Sequence, residues 1–100
     1  KRVLVVAKVE VSEGFVEDMT QVYMGSKREE IWYAVSLLEF APEMGSRILP
    51  TSIKRRFGDT VRKVVVDSFD IIYRYFAEQD LVYVVGLVHQ RGSIDKLSSK

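Results

Sequence analysis

The sequence predicts an α+β fold in which a helical hairpin packs on one face of a sheet. Apolar residues recur at helical spacing between residues 12 and 41, whereas the chain beyond Gly58 is rich in valine or alternates as strands do. A valine-rich run near the N-terminus adds a first strand. With 100 residues, the chain is expected to form a single domain over 1–100, in which the polar residues 91–100 form a mobile tail.

The first part of the chain predicts a strand and then a helix. The strand is expected from Val3 to Val9, because β-branched residues favour an extended backbone. Ser12 is suited to cap the first helix, since its hydroxyl can accept a hydrogen bond from a free backbone N–H. We expect this helix to end at Gly25. Its apolar stripe consists of Phe15, Val16, Met19, Val22 and Tyr23.

A second helix is predicted from the residues that follow. Ser26 and Glu29 have the spacing of a capping box, in which each side chain bonds the other residue's backbone N–H. Pro42 should end the helix, because proline cannot continue the hydrogen-bond ladder. The connection between the helices is short, so we expect an antiparallel helical hairpin. The stripe of the second helix consists of Ile31, Ala34, Val35, Leu38 and Ala41.

The second half of the chain predicts a three-stranded antiparallel meander. Residues 42–58 contain both prolines and two glycines, and we expect them to be irregular. Three strands are then predicted over Thr60 to Val66, Phe69 to Phe76 and Leu81 to His89. Asp67 with Ser68, and residues 78–80, supply the turns.

The composition excludes several classes of protein. Cysteine is absent and His89 is the only histidine, so we expect no disulfide scaffold, no metal and no cofactor. The longest apolar runs are far short of the about 20 residues that cross a bilayer. We therefore expect a cytoplasmic protein without a membrane partner.

Charge is unevenly distributed along the chain, although the formal net charge is only +1. Residues 1–43 hold five basic and eight acidic residues, whereas residues 44–100 hold ten and six. The basic residues concentrate at Lys54, Arg55, Arg56, Arg62 and Lys63. These side chains could bind nucleic acid or an acidic partner, or they could simply form a solvated surface.

Four short motifs, in order, give the sequence a resemblance to a known family. They are Pro42 to Arg47 (proline-x-hydrophobic-glycine-x-arginine), Val61 to Val64, Phe69 to Arg74 (aromatic-x-I-I-Y-R) and Leu87 to Arg91 (two hydrophobic residues, then H-x-R). Together they resemble the RelE/ParE toxin superfamily, and the last motif is nearer the ParE branch. The resemblance covers residues 3–93.

The resemblance implies a toxin of a type II toxin–antitoxin module, which inhibits growth, can stabilise a plasmid and is neutralised by a cognate antitoxin. ParE-like members poison DNA gyrase, and gyrase is the target we favour. RelE-like members enter the ribosome and cut mRNA, so a ribosome-dependent endoribonuclease is the alternative. A further alternative is an inactive module that only binds its antitoxin. Whether the protein is an enzyme therefore stays open.

Three positions depart from the family motifs. Asp70 stands where RelE-like nucleases usually carry a basic residue. Gly92 replaces the second arginine of the ParE-like ending, and Leu97 stands near the position of a C-terminal tyrosine. These departures predict weak cleavage of mRNA.

The candidate site residues form three groups. His89 and Arg91 would be catalytic if the protein is a nuclease, as a general base and a cation that stabilises the scissile phosphate; otherwise His89 packs at the rim of the sheet. The target-binding group consists of Lys54, Arg55, Arg56, Arg62, Lys63 and Arg91. The antitoxin-binding group consists of Trp32, Tyr33, Leu37 and Phe40, which lie off the stripe of the second helix. They either wait for a partner helix or bury that helix on two sides.

Overall fold

The computed structural model describes residues 6–90, and its elements follow the predicted order with one additional helix. A short 3₁₀ turn, Ala77–Gln79, joins the last two strands. The elements are β1 (Lys8–Val11), α1 (Glu13–Met19), α2 (Gly25–Leu37), α3 (Thr51–Phe57), β2 (Arg62–Val66), β3 (Phe69–Phe76) and β4 (Leu81–His89).

The four strands form one sheet in the order β1-β4-β3-β2. The antiparallel meander of β2, β3 and β4 is confirmed, and β3 and β4 have the predicted bounds. β1 lies parallel to β4, with Lys8 opposite Leu81 and Val11 opposite Val84. The register of β3 on β4 shifts between Ile72 and Tyr73. β1 and β2 are therefore the edges of the sheet.

The helical hairpin covers one face of the sheet as predicted, and α3, which the sequence analysis did not predict, covers the opposite face. The larger core lies under α1 and α2, where Phe15, Ile31 and Leu38 are fully buried with Ile71 and Tyr73 from the sheet. A second cluster lies on the opposite face and consists of Leu49, Ile53, Val61 and Ile72, with Phe57 packed against it.

The helix on this opposite face, α3, was predicted as irregular chain. Ile53 and Phe57 are four residues apart and so share one side of a helix. Gly86 makes room for this helix, because a Cβ there would lie 2.6 Å from Cζ of Phe57. The guanidinium of Arg74 donates to the Phe57 carbonyl at 2.6 Å and fastens the end of the helix to the sheet.

The first strand begins later than predicted. Residues 1–5 lie outside the described residues, and β1 starts at Lys8. Ala7 instead donates its backbone N–H to the Glu39 carbonyl at 2.9 Å, which connects it to the chain after α2 and not to a strand. β2 likewise begins at Arg62 and not at Thr60.

Ser12 caps α1 as predicted, because its Oγ accepts the N–H of Phe15 at 3.0 Å. The helix ends at Met19, well before Gly25. The predicted capping box was wrong: α2 begins at Gly25 itself, its N-cap is Met24, and no side chain caps it.

Both helices are shorter at their C-terminal ends than the apolar stripes suggested. α2 ends at Leu37, not at Ala41 before Pro42. In each case the apolar residues beyond the helix still reach the core: Val22 and Leu38 are 3% and 0% exposed. The apolar spacing therefore identified the buried residues correctly, but it predicted helices that are longer than those observed.

A buried tyrosine holds the chain that leaves the helical hairpin. Tyr73 is fully buried, donates its phenol to the Pro42 carbonyl at 2.8 Å and accepts the N–H of Gly45 at 2.8 Å. Burial raises the pKa of Tyr73, so the phenol keeps the proton that it donates. Arg62 braces the same segment by donating to the carbonyls of Glu43 at 3.1 Å and Gly45 at 3.0 Å. The Pro42 to Arg47 motif therefore has a structural role. We call the hydrogen bonds of Tyr73 and Arg62 to Pro42, Glu43 and Gly45 the clamp.

We expect Gly45→Ala to destabilise the protein by about 1–3 kcal/mol, as overpacking of a tight site does. The added Cβ would lie 2.6 Å from Oη of Tyr73 and 3.0 Å from Cβ of Arg62. Urea unfolding measures the change. Gly25→Ala is the matched control, since the nearest atom to its Cβ is a flexible arginine nitrogen at 3.7 Å. Equal stability of the two variants would contradict a stabilising role of the tight contact between Gly45 and Tyr73.

Candidate functional site

An apolar surface is exposed on α2 and just beyond its end. We call Trp32, Tyr33, Leu37 and Phe40 the apolar helix surface. Tyr33 and Phe40 are 66% and 64% exposed, and Trp32 is 43% exposed while its ring packs edge-on against Phe15 at 5.4 Å. Tyr33, Leu37 and Phe40 are spaced by four and three residues, so they face one direction. Within the described residues, α2 is therefore buried on one side only.

A pocket lies on the opposite face of the sheet, between the start of α3 and the strands β2, β3 and β4. We call it the Asp70 pocket. Its volume is about 420 Å³, within the range of about 300–1,000 Å³ that small-molecule sites occupy. It is lined by Pro50, Ser52, Ile53, Lys63, Asp70, Val88 and Gln90.

Asp70 is the only charged residue among residues 6–90 that is buried, with 3% of its surface exposed. Oδ1 accepts a hydrogen bond from Nε2 of Gln90 at 2.6 Å. Oδ2 lies 3.8 Å from Nζ of Lys63, which is an ion pair longer than a hydrogen bond. The carboxylate therefore keeps hydrogen-bonding capacity beside an open pocket.

The five basic residues singled out from the sequence do not form one patch. Lys54, Arg55 and Arg56 are exposed on α3, where the guanidinium of Arg56 lies 4.7 Å from the centre of the Phe57 ring. Arg62 donates to the backbone carbonyls of Glu43 and Gly45. Nζ of Lys63 lies 3.8 Å from Oδ2 of Asp70. Of these five residues, the three on α3 are therefore the exposed ones, and Arg62 and Lys63 are half-buried.

His89 lies on the other face of the sheet. It pairs with Phe69 across the β3–β4 ladder, and the two rings stack with centroids 4.5 Å apart. It lines a second pocket of about 370 Å³ with Tyr23, Met24 and Lys27 from the α1–α2 connection and the start of α2. The sheet therefore separates His89 from the Asp70 pocket, and Arg91 lies outside the described residues.

Sequence reasoning did not identify Ser52 and Gln90 as members of a site. Gln90 directly follows the last strand, and its backbone N–H bonds the Ser68 carbonyl at 2.7 Å. The alternation of side chains along β4 could have identified Gln90, because it puts Val88 and Gln90 on one face of the sheet and His89 on the other.

Within residues 6–90, no helix is long and apolar enough to cross a membrane. Over the same range, no three histidine or acidic side chains are grouped so that they could hold a metal ion.

Comparisons with known proteins connect this fold to toxins. No protein-family model matches the sequence, and no curated protein matches it. Among solved structures, a chain of the toxin–antitoxin complex RelBE2 from Mycobacterium tuberculosis is 15% identical with a TM-score of 0.67, and the match covers 85% of this chain and 99% of that one. The isolated RelE toxin of E. coli is 14% identical with a TM-score of 0.57, over 91% and 98%. A chain of the archaeal RelE–RelB complex from Pyrococcus horikoshii is 14% identical with a TM-score of 0.54, over 84% and 94%.

The matches span nearly the whole length of these neighbours and most of this chain. The protein therefore has the fold of the RelE toxins, and the resemblance to the RelE/ParE superfamily is confirmed at the level of the fold.

Proposed function

We propose that this chain is the toxin of a type II toxin–antitoxin module, held by a cognate antitoxin and inhibiting growth through a macromolecular target. The observation that carries the proposal is the apolar helix surface, presented by a chain with the RelE fold. Two of the structural neighbours are complexes of a toxin with its antitoxin, which supports a partner of the same kind here.

The apolar helix surface is the proposed antitoxin site. Large aromatic side chains supply much of the energy of protein interfaces when a partner covers them. The exposed Tyr33 and Phe40, with the half-buried Leu37 between them, form an apolar strip that suits the apolar side of an amphipathic antitoxin helix. Trp32 is anchored against Phe15 and would form a rigid border of the interface.

We expect Tyr33→Ala and Phe40→Ala each to weaken the complex with the product of the neighbouring gene by about 30-fold, corresponding to about 2 kcal/mol for an interface hot spot. Isothermal titration calorimetry measures the loss. Both side chains are mostly exposed, so the fold should survive. Ile48→Ala is the matched control, because Ile48 is 85% exposed and its neighbour Leu49 packs on the face of the sheet opposite α2.

The two possible failures of this experiment have different meanings. Full-strength binding by both variants would place the antitoxin elsewhere on the protein. Absence of any complex with the wild-type chain would contradict the toxin–antitoxin proposal itself.

For the target, we favour DNA gyrase over ribosome-bound mRNA. Asp70 puts a negative charge in the pocket on the α3 face, where it would oppose a phosphate. The net charge of +1 is also low for a protein that grips an RNA backbone. His89 lies on the other face of the sheet from α3 and its basic residues.

The second candidate is a ribosome-dependent endoribonuclease in which His89 and Arg91 act on the scissile phosphate. The observation in its favour is that the structural neighbours are RelE toxins. Stabilising donors around a reacting phosphate typically contribute about 100-fold or more each to the rate. Arg91 is accordingly the residue whose removal separates the two candidates.

Induction of the chain without its antitoxin tests the target. We expect gyrase-dependent DNA breaks, no strong cleavage of mRNA by primer extension, and only moderate change in toxicity for Arg91→Ala. Strong cuts at ribosomal A sites that disappear in Arg91→Ala would establish the endoribonuclease. Normal growth after induction would favour an inactive antitoxin-binding module.

A related variant measures what Asp70 does to the charge of the pocket. Asp70→Arg removes a negative charge and adds a positive one, so we expect tighter binding of single-stranded RNA and a steeper dependence on salt. Fluorescence anisotropy at several salt concentrations measures both, after circular dichroism has shown that the variant folds. Asp70→Asn, which keeps the side-chain size, should show the same direction with a smaller change. Unchanged salt dependence in both variants would contradict an electrostatic role of Asp70.

A further inference from the structure

We infer that the antitoxin segment that covers the apolar helix surface is a basic amphipathic helix, in which lysine or arginine borders the apolar side. The inference rests on the proposed function and adds the charge of the partner to it. It is carried by the exposed carboxylates that lie beside the aromatic side chains of this surface.

The exposed side of α2 continues from aromatic side chains into carboxylates. Glu29 and Glu30 precede Tyr33 by four and three residues, so they lie on its side of the helix, one turn closer to the N-terminus. Both are exposed. Beyond the other end of the strip, the exposed Glu43 follows Phe40 by three residues. A helix that covers the strip therefore meets negative charge near both of its ends.

The two basic residues of α2 are directed mainly to other partners. Nζ of Lys27 lies 3.0 Å from Oδ2 of Asp67, in the turn between β2 and β3, and a longer 3.6 Å from Oε1 of Glu30. The guanidinium of Arg28 donates to the Val22 carbonyl, in the connection between α1 and α2. These cations thus brace the start of α2 and leave the border of the apolar strip acidic.

The hairpin as a whole is acidic as well. Residues 13–43 hold seven acidic and two basic residues. Within residues 6–90, neither Glu29 nor Glu43 forms an ion pair. Charges at the rim of an interface steer complementary partners and repel those of like charge. The surface therefore favours a segment that brings cations to both ends of its apolar stripe.

The same charges make two other occupants unfavourable. Nucleic acid is a polyanion, and the cytoplasmic face of a membrane carries anionic lipids. Both would be repelled by the carboxylates that border the apolar helix surface. A protein helix with basic borders satisfies the apolar strip and the carboxylates together.

The basic helix α3 of a second copy is also a poorer fit. Its cations Lys54, Arg55 and Arg56 are exposed, but its apolar residues Ile53 and Phe57 pack on the sheet. It therefore offers charge without a free apolar side, whereas a helix that binds in an apolar groove needs both.

Matched synthetic helices test the inference on the full chain. Three peptides of about 16 residues, held helical by a side-chain cross-link, share one leucine stripe and carry lysine, glutamine or glutamate on both borders. Isothermal titration calorimetry at low salt should show the lysine peptide binding about tenfold more tightly than the glutamine peptide, through a few exposed charge pairs, and the glutamate peptide binding most weakly. At about 1 M salt, where the Debye length is about 3 Å, the three affinities should agree within about twofold.

Variants then connect the preference to the carboxylates of α2. Glu29→Gln combined with Glu30→Gln should remove most of the preference for lysine, and both positions are exposed, so the fold should survive. Glu10→Gln combined with Asp59→Asn is the matched control, because it also removes two exposed carboxylates. Asp59 follows α3, and Glu10 lies between two β1 valines that pack under the hairpin, so its side chain is on the opposite face. The control should keep the preference.

Three results would overturn the inference. The first is equal binding of the three peptides at low salt, or no binding by any of them. The second is an equal loss of preference in the control, because the preference would then come from net charge alone. The third is self-association of the chain in sedimentation velocity that Glu29→Gln with Glu30→Gln abolishes, because a second copy would then cover the surface.

The complex with the product of the neighbouring gene separates this inference from the proposed function. Glu29→Gln with Glu30→Gln should weaken that complex and flatten its dependence on salt, whereas Tyr33→Ala should weaken it at every salt concentration. A complex that responds to Tyr33→Ala alone would overturn the basic border and leave the toxin–antitoxin proposal intact. A preference for the lysine peptide without any such complex would contradict the proposed function and not the chemistry of the surface.

Discussion

The buried phenol of Tyr73 fixes the connection between the two halves of this protein. Its bonds to the Pro42 carbonyl and the Gly45 N–H satisfy backbone groups that would otherwise be unpaired inside the fold. The segment so held then forms two backbone hydrogen bonds between Ser46 and Lys63, each 2.9 Å long, at the edge of β2. The chain leaves this edge for Leu49 and Ile53, which cover the second face of the sheet. The position of α3, and with it the Asp70 pocket, depends on this clamp.

The sheet separates two surfaces of different chemistry. The hairpin side presents aromatic and aliphatic side chains on α2, which suit a protein partner. The α3 side presents a buried carboxylate, a lysine and a short basic helix, which suit a small polar ligand or a charged polymer. The two surfaces thus lie on opposite sides of the four-stranded sheet.

Asp70 determines the charge at the centre of the α3 surface. A buried charge is costly unless it is paired and hydrogen-bonded, and here the pairing is incomplete: one close hydrogen bond from Gln90 and one long ion pair with Lys63. A carboxylate in this position opposes phosphate but accepts N–H groups. The α3 side is therefore poorly suited to hold the scissile phosphate of an RNA backbone.

The sequence by itself determined the α+β class, the order of the elements and the bounds of β3 and β4, because apolar alternation and turn residues act locally. It also identified the apolar residues that lie off the stripe of α2, but only the structure decided that Tyr33 and Phe40 are exposed and not buried on a second side. Only the tertiary structure decided where α1 and α2 end, that Ala7 bonds the chain after α2 in place of a strand, and that residues 51–57 form a helix on the far face. These features depend on contacts between residues far apart in the chain. The separation of His89 from the α3 cations and the meeting of Lys63, Asp70 and Gln90 have the same origin, since the face that a side chain occupies depends on strand register, and strand register is set by pairing across the whole sheet.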